Sequence, residues 1–444
     1  QGSLYDKVRS RFTDCPNVRV LQGRVPEVLQ AESPSQVAFM HIDLNSCFAT
    51  VEQQARVMLC GKPVSVVNRR TDQTMIVTCS YEAKAAGVTL GMKLKDARKL
   101  CPELVGVESD PAKYRYVYHK LLDIMNDYSA HVTMKSIDEG VIDFTQAPDA
   151  IKNRGLEAIG YEIKQRLRDE IGVAMRCNVG IATNRFLAKT AAGLHKPDGM
   201  DVITHENLRE VLGTLKLTDL TGIAERNAHR LQSVGILKPL DFLDASANVL
   251  RSSVFKSIDG DKWHARLHGW EVDDVATETK RVGRQYVLDD FNLTFEQILD
   301  RLHHLCESVG WRLRKQGLSA RGVYVGVHTF GPGGPWRKGA RWHAMHVADT
   351  PFFSDKTIYA IARQLFLDAP PDIRDINVHV YLLERGERSQ QSLFADELAR
   401  ERLVTGAIDE INDRYGEHTL HAASTLKTGP FVKTKIPFGS TRYL

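Results

Sequence analysis

The segment Met134-Lys135-Ser136-Ile137-Asp138-Glu139-Gly140-Val141-Ile142-Asp143 sets two carboxylates side by side between two runs that read as strands. A third acid, Asp43, ends the apolar run Phe39-Met40-His41-Ile42. Neighbouring side chains on a strand point to opposite faces, so Asp138 and Glu139 share a ligand only at a turn or bulge, which Gly140 would permit. Two carboxylates about 4 Å apart repel by roughly 4 kcal/mol at an effective dielectric near 20, so a cluster of three calls for a cation. Oxygen-only ligands suit Mg2+, and a pair of such ions can activate an attacking hydroxyl while steadying a leaving phosphate. Taken singly, the same residues also fit a helix cap at Asp43 and a solvated turn at Asp138-Glu139.

Two further segments offer cations. In Thr78-Cys79-Ser80-Tyr81-Glu82-Ala83-Lys84, Tyr81 and Lys84 are three apart and share a helix face, a phenol and an ammonium that together could grip a triphosphate. The plainer alternative is a Tyr stem on the core beside a solvated Lys. From Asn184 to Gly199, Phe186, Leu187, Ala191 and Leu194 form the buried stripe of a helix that Pro197 and Gly199 stop, with Lys196 at its exit. A Lys there ordinarily complements the helix dipole.

The elements that must hold these groups alternate. A strand (37–43), a helix (48–59), a strand pair (63–67 and 75–78) and helices over 81–86, 95–100 and 114–128 lead to the acidic hairpin, 132–145. A helix over 155–170, a strand over 176–181 and a helix over 184–194 complete this region. Beyond Val202 come short helices punctuated by glycine, with Gly222 and Gly235 in turns that could leave backbone N–H groups free for a DNA phosphate. This pattern resembles a helix-hairpin-helix, with Ala224 where a second glycine is usual. Strands return from Arg284 to Leu383 around a helix over 295–315. The fold class is therefore α+β and multi-domain.

At 444 residues the chain exceeds one core, and its 43% hydrophobic content is that of a globular protein. No stretch reaches the roughly 20 apolar residues of a membrane span, and no signal peptide is expected, so the expected location is the cytoplasm. Seven cysteines without a CxxC pair point to reduced thiols. Gln1-Gly2-Ser3 reads as an expression remnant. A net charge of +4 decides little, but Arg284, Arg312, Arg314, Arg321, Arg337, Lys338 and Arg341 recur within one stretch, which favours a polyanionic partner over solvated faces alone.

Four ordered motifs carry a resemblance: His41-Ile42-Asp43-Leu44-Asn45-Ser46-Cys47-Phe48-Ala49-Thr50-Val51-Glu52, Tyr81-Glu82-Ala83-Lys84, Ser136-Ile137-Asp138-Glu139, and Ala188-Lys189 through Lys196-Pro197-Asp198-Gly199. The chain resembles the Y-family translesion DNA polymerases, nearest the bacterial DinB, or DNA polymerase IV, branch, from about Val37 to Leu383. The resemblance implies a right-hand polymerase: palm (37–55 and 110–202), fingers (56–109), helical thumb (203–272), linker (273–283) and little finger (284–385). An N-terminal extension (1–36) and a C-terminal tail (386–444) flank these.

It further implies that Asp43, Asp138 and Glu139, with the Leu44 carbonyl, hold two Mg2+ ions, for which Mn2+ can substitute. Phe48 falls at the steric gate against a ribose 2′-OH. Thr78, Tyr81, Lys84 and Lys196 fall on the triphosphate contacts, and Met75 and Val77 on the roof over the nascent base pair, where relatives are often smaller. Lys84 replaces the usual Arg, a point charge for a bidentate fork. Asn45, Ser46 and Cys47 replace the more common acidic and aromatic residues. Ser389-Gln390-Gln391-Ser392-Leu393-Phe394 resembles a sliding-clamp-binding peptide anchored by Gln390, Leu393 and Phe394, with a plain linker as the alternative. The implied partners are primer-template DNA, dNTP and the clamp, for a monomer acting at the bacterial nucleoid. Rival readings are a catalytically silent DNA-bound scaffold and a nucleotidyl cyclase, which would need neither thumb nor basic C-terminal domain.

Overall fold

The computed structural model describes residues 34–432 except 70, 275–277, 289, 386–394, 417 and 430. The chain divides into two compact units, Gln1–Asp274 and Val275–Leu444, of mixed α and β structure.

Among its described residues the first unit carries eight strands: β1 (Phe39–Leu44), β2 (Val64–Val67), β3 (Ile76–Cys79), β4 (Val105–Glu108), β5 (Val132–Met134), β6 (Glu139–Asp143), β7 (Cys177–Ala182) and β8 (Met200–Ile203). Five form one sheet in the order β5-β6-β1-β7-β8, with β1 central and antiparallel to both neighbours. Strand alternation sends Met40 toward the helix Leu156–Glu170, where a Cβ on Gly160 would approach its Cε at 3.8 Å. Phe39 points the other way, joining a core cluster with Phe186 and Leu187 of the helix Arg185–Leu194. His41 and Asp43 follow Phe39 at two-residue spacing and so share its face. The sheet is covered on both sides, and β1 is accordingly buried at every position but Asp43.

A separate three-stranded sheet, β3-β2-β4, packs its own small core of Val67, Ile76, Cys79, Ala83, Val88, Leu94 and Leu104. Short helices from Leu208 to Leu267 bury Leu212, Leu231, Phe242 and Trp263 in one cluster. Gly222 there has φ +95°, and a Cβ on it would meet the Trp263 ring at 3.1 Å; Gly235 has φ +87°. Both positions need the left-handed region that glycine adopts freely.

In the second unit β9 (Arg281–Val287), β10 (Leu318–Gly331), β11 (Gly334–Phe352) and β12 (Ile373–Arg385) form an antiparallel sheet in the order β11-β10-β12-β9. The helices Phe295–Lys315 and Asp355–Phe366 pack against its Val323, Val325, Ile376, Val378 and Val380. Residues expected to form a tail include a 21-residue helix, Ala395–Tyr415, folded onto this unit. Its Asp409 accepts two hydrogen bonds from Arg314 at 2.6 and 2.7 Å, and Asp413 accepts one from Trp311 at 3.0 Å. The chain then returns, and His304 bonds Thr428 at 2.7 Å while Tyr286 donates to the Phe431 carbonyl at 3.2 Å. No helix among the described residues is long and apolar enough to cross a membrane.

Several arginines expected to meet DNA are occupied in this packing. Arg314 is 13% exposed and held by Asp409 and Asp355. Arg284 donates to Ser308 and to the Val432 carbonyl, and Arg312 to the Gly283 carbonyl at 3.0 Å. Through these contacts the three arginines, Arg314 most firmly, tie the sheet, the long helix and the C-terminal segment together. Arg321 pairs with Glu384 at 2.9 Å and Arg341 donates to the Tyr324 hydroxyl at 2.7 Å, while Arg337 and Lys338 are exposed.

Candidate active site

The three acids meet where β1 ends and β6 begins. Asp43 and Glu139 are direct cross-strand partners, and the Leu44 N–H donates to the Asp138 carbonyl at 2.9 Å. The departure from strand geometry comes before Glu139 rather than at Gly140. Lys135 N–H and Ser136 N–H both donate to the Glu139 carbonyl, at 2.9 and 3.2 Å, closing a tight turn that brings Asp138 round. Gly140 lies inside β6, and its role is space: a Cβ there would stand 2.6 Å from Met134 Sδ and 2.9 Å from Met125 Cε. The expectation that Gly140 makes the bend is thus corrected.

Each acid has a different environment. Glu139 accepts from Lys189 Nζ at 2.7 and 2.8 Å and faces His41 Nε2 at 3.1 Å. Burial acts to raise its carboxyl, but the His41 and Lys189 hydrogen bonds outweigh that and hold it at about 2. Burial lifts Asp138 above its ordinary value, and the charges of Asp43 and Glu139 add to the lift against a hydrogen bond from Ser136. Asp43 is met by Lys196, whose Nζ lies 2.6 Å from Oδ2. Among the described residues, His41, Asp43 and Glu139 offer ligand atoms within 4.8 Å of one another. Two carboxylates and an imidazole make up this group; Asp138 lies outside it, near enough for its carboxyl to feel the charges of Asp43 and Glu139. Carboxylate oxygens suit a hard divalent cation, and positive charge is supplied here by the Lys189 and Lys196 ammonium groups.

The cationic side is assembled by local capping. Ser80 accepts from Ala83 N–H at 3.4 Å and starts the helix Tyr81–Ala85, so Tyr81 and Lys84 come to one face. Lys84 Nζ lies 4.4 Å from the Tyr81 ring centre and donates to Ser46 Oγ at 2.8 Å. Burial and the nearby Asp43 charge raise the Tyr81 phenol. Asn184 caps the helix Arg185–Leu194 by accepting from Leu187 N–H at 2.7 Å, and Lys189 and Arg185, four apart, then face β6 together. Arg185 reaches Asp143 at 3.2 Å, one helical turn from the Lys189–Glu139 pair.

Phe48 is 5% exposed and stacks on Tyr114, ring centres 4.2 Å apart. The Tyr114 hydroxyl donates to the buried Glu52 at 3.0 Å, so the ring beneath Phe48 is itself anchored. Cys47 is buried and its thiol is raised well above its usual range, first by burial and then by Asp138 and Asp43. Thr78 and Val77 are half-buried on β3, and Met75 is exposed beside it, bridged to Lys93. Gln390, Leu393 and Phe394 lie outside the described residues.

Sequence reasoning assigned no partner to Glu139, yet His41 and Lys189 hold it. The two-residue spacing of His41 from Asp43 on a strand was the available signal for the first. Lys189 stood in a quoted motif, but its contact crosses 50 residues and shows no local pattern.

Residues 42–193 match the model of the impB/mucB/samB family, and residues 279–393 match the model of that family's C-terminal domain. The chain is similar to a DNA polymerase IV of Pelotomaculum thermopropionicum, 30% identical over 392 residues that cover 86% of this chain and 94% of the relative. It is also similar to a DNA polymerase IV of Bacillus velezensis (28% over 397 residues, 87% and 92%). A DNA polymerase IV 1 of Bacillus subtilis is 28% identical over 403 residues (88% and 94%).

Proposed function

Because the chain belongs to the impB/mucB/samB family of DinB-like, Y-family DNA polymerases and is a DNA-directed DNA polymerase, we propose that it performs translesion synthesis by two-metal nucleotidyl transfer. Its substrates in this reading are primer-template DNA and dNTP. Residues 37–55 and 110–202 act as palm, 56–109 as fingers, 203–272 as thumb and 284–385 as little finger, with 273–283 as linker. A clamp contact through Gln390, Leu393 and Phe394 and action at the nucleoid belong to the same proposal.

The single observation that carries the reading is the Lys196–Asp43 pair, 2.6 Å long. The cation expected to hold a triphosphate touches the carboxylate expected to hold a metal, so the two halves of a nucleotidyl-transfer site adjoin. Asp43, Asp138 and Glu139, with the Leu44 carbonyl, would hold two Mg2+ ions, and Mn2+ would be accepted by the same oxygens. When bound, such ions activate the primer 3′-hydroxyl and neutralise charge on the triphosphate.

The chain's own residues supply position and charge. Lys196, Lys84, Tyr81 and Thr78 orient the triphosphate, and Lys189 with His41 keeps Glu139 ionised and aimed. Phe48, pinned by Tyr114, stands against a ribose 2′-OH, and Met75 and Val77 cover the base pair. A silent scaffold is disfavoured by the intact acid group and its two ammonium partners. The translesion part is tested by single-nucleotide insertion opposite a panel of damaged templates. Insertion opposite at least one lesion at within about tenfold of the undamaged rate is expected; arrest at every lesion removes the translesion role.

A further inference from the structure

Between the acids and Lys196 runs a buried chain of side-chain amides that neither the metal site nor the triphosphate contacts account for. Asn45, two residues past Asp43, is 3% exposed, and Asn178 is fully buried on β7, directly across from Asp43 in the β1–β7 register. Asn45 Oδ1 accepts from the Asp198 N–H at 2.7 Å. That leaves Asn45 Nδ2 to donate to Asn178 Oδ1 at 2.8 Å, and Asn178 Nδ2 to donate to the His195 carbonyl at 2.9 Å. Only one orientation of each amide satisfies the whole run, because a backbone N–H fixes one end and a carbonyl the other. The backbone of Asn45 is pinned as well, its N–H donating to the Arg176 carbonyl at 2.9 Å.

The two ends of this run bracket Lys196: one grips the residue before it, the other the second residue after it. Asp198 is held further from outside. Its carboxylate takes Arg168 at 2.7 Å and Lys164 at 3.1 Å, and Lys164 also donates to the Asp198 carbonyl. Asp198 has φ +59°, a backbone conformation that a non-glycine residue holds only when its surroundings fix it. Lys196 itself is a flexible four-carbon stem on a turn, and such a side chain delivers its charge reproducibly only from a fixed backbone. An Asn at position 45 does this without adding charge beside three carboxylates.

We infer that Asn45 and Asn178, backed by Arg168 and Lys164, are positioning residues for the incoming nucleotide, acting through the Lys196 backbone rather than by contact. The inference rests on the assignment of Lys196 to the triphosphate. Buried amides that hold a loop of this kind set nucleotide affinity more than the rate of the chemical step, since Lys196 is the group they serve.

The test is a double-mutant cycle on the full chain, read by dNTP affinity on a dideoxy-terminated primer-template and by the split between KM and kcat in single-nucleotide insertion. Asn178→Leu, nearly isosteric, is expected to raise KM and Kd for dNTP about five- to tenfold with kcat within about twofold, the size expected for losing one or two hydrogen bonds. In a Lys196→Ala background the same change is expected to add little. Arg168→Ala, on a side chain 34% exposed, serves where Asn178→Leu does not fold. It is expected to raise KM about two- to threefold, again only while Lys196 is present. Unchanged KM in the folded variant, or an effect undiminished without Lys196, overturns the inference. If Lys196→Ala alone leaves dNTP affinity unchanged, the triphosphate role of Lys196 fails first and takes the inference with it.

Discussion

Phe48 shows how one side chain is given a job by its neighbours. Its ring lies flat on Tyr114, 4.2 Å away and 9° from parallel, and Tyr114 is fixed by Glu52, which also takes Lys113 at 3.0 Å. A ring so held is fixed in place, as the proposed gate against a ribose 2′-hydroxyl requires. Phe48→Ala is expected to admit ribonucleotides, cutting the dNTP-to-rNTP preference in kcat/KM by at least about tenfold, and to lower stability by about 3 kcal/mol through the lost stack and the cavity. Phe48→Leu keeps much of the volume and separates the two effects. An unchanged preference in either variant removes Phe48 from the gate. Asp43, Asp138 and Phe48 are proposed from the sequence because their types and order are specific, and the meeting of Asp43 with Glu139 was legible in it. Of the partners of Glu139, only His41 left a signal, its two-residue spacing from Asp43 on one strand; Lys189 reaches Glu139 from a helix 50 residues on, where spacing carries none.

The elements are held together as tightly as the side chains. A Cβ on Gly180 of β7 would lie 2.0 Å from the Ala188 carbonyl and 2.2 Å from the Ala192 N–H, so the helix Arg185–Leu194 rests directly on the strand. Gly180→Ala is expected to push the two apart, costing about 2 kcal/mol or more in urea denaturation. Primer extension should fall further than stability alone explains, because that helix carries Lys189 to Glu139. Wild-type stability in this variant would mean that the contact is not tight. The strongly periodic elements were readable: the helix Phe295–Lys315 has the expected ends, and the strands and helices around the acids lie within a few residues of expectation. The strands β4 and β8 were not, since each joins its sheet by parallel pairing, which leaves no hairpin turn in the sequence to mark it. The helix Ala395–Tyr415 was missed for another reason: Leu403 and Val404 are exposed, and much of its seat is ionic. Its sequence therefore shows no single apolar stripe.

At the scale of the molecule, positive charge in the C-terminal unit divides into two kinds. Arg314 is structural, bridging Asp409 and Asp355, whereas Arg337 and Lys338 stand exposed on β11. Arg314→Ala should destabilise this unit by about 3 kcal/mol by leaving two acids unpaired. It should leave the salt dependence of DNA binding unchanged. Arg337→Ala should instead lower that slope by about one. The reverse pattern would return Arg314 to the DNA-binding surface. A sequence count of basic residues could not make this division, because it depends on a C-terminal segment that folds back onto the same unit.

In the proposed reaction Asp43, Asp138 and Glu139 form one metal-dependent site. Extension of a primed template in Mg2+ by the full chain and by Asp138→Ala, alongside duplex binding, tests this most directly. The wild-type chain is expected to extend the primer, and the variant to lose extension by at least about a thousandfold while binding primer-template within about twofold. Extension by Asp138→Ala at a rate near wild type would contradict the site.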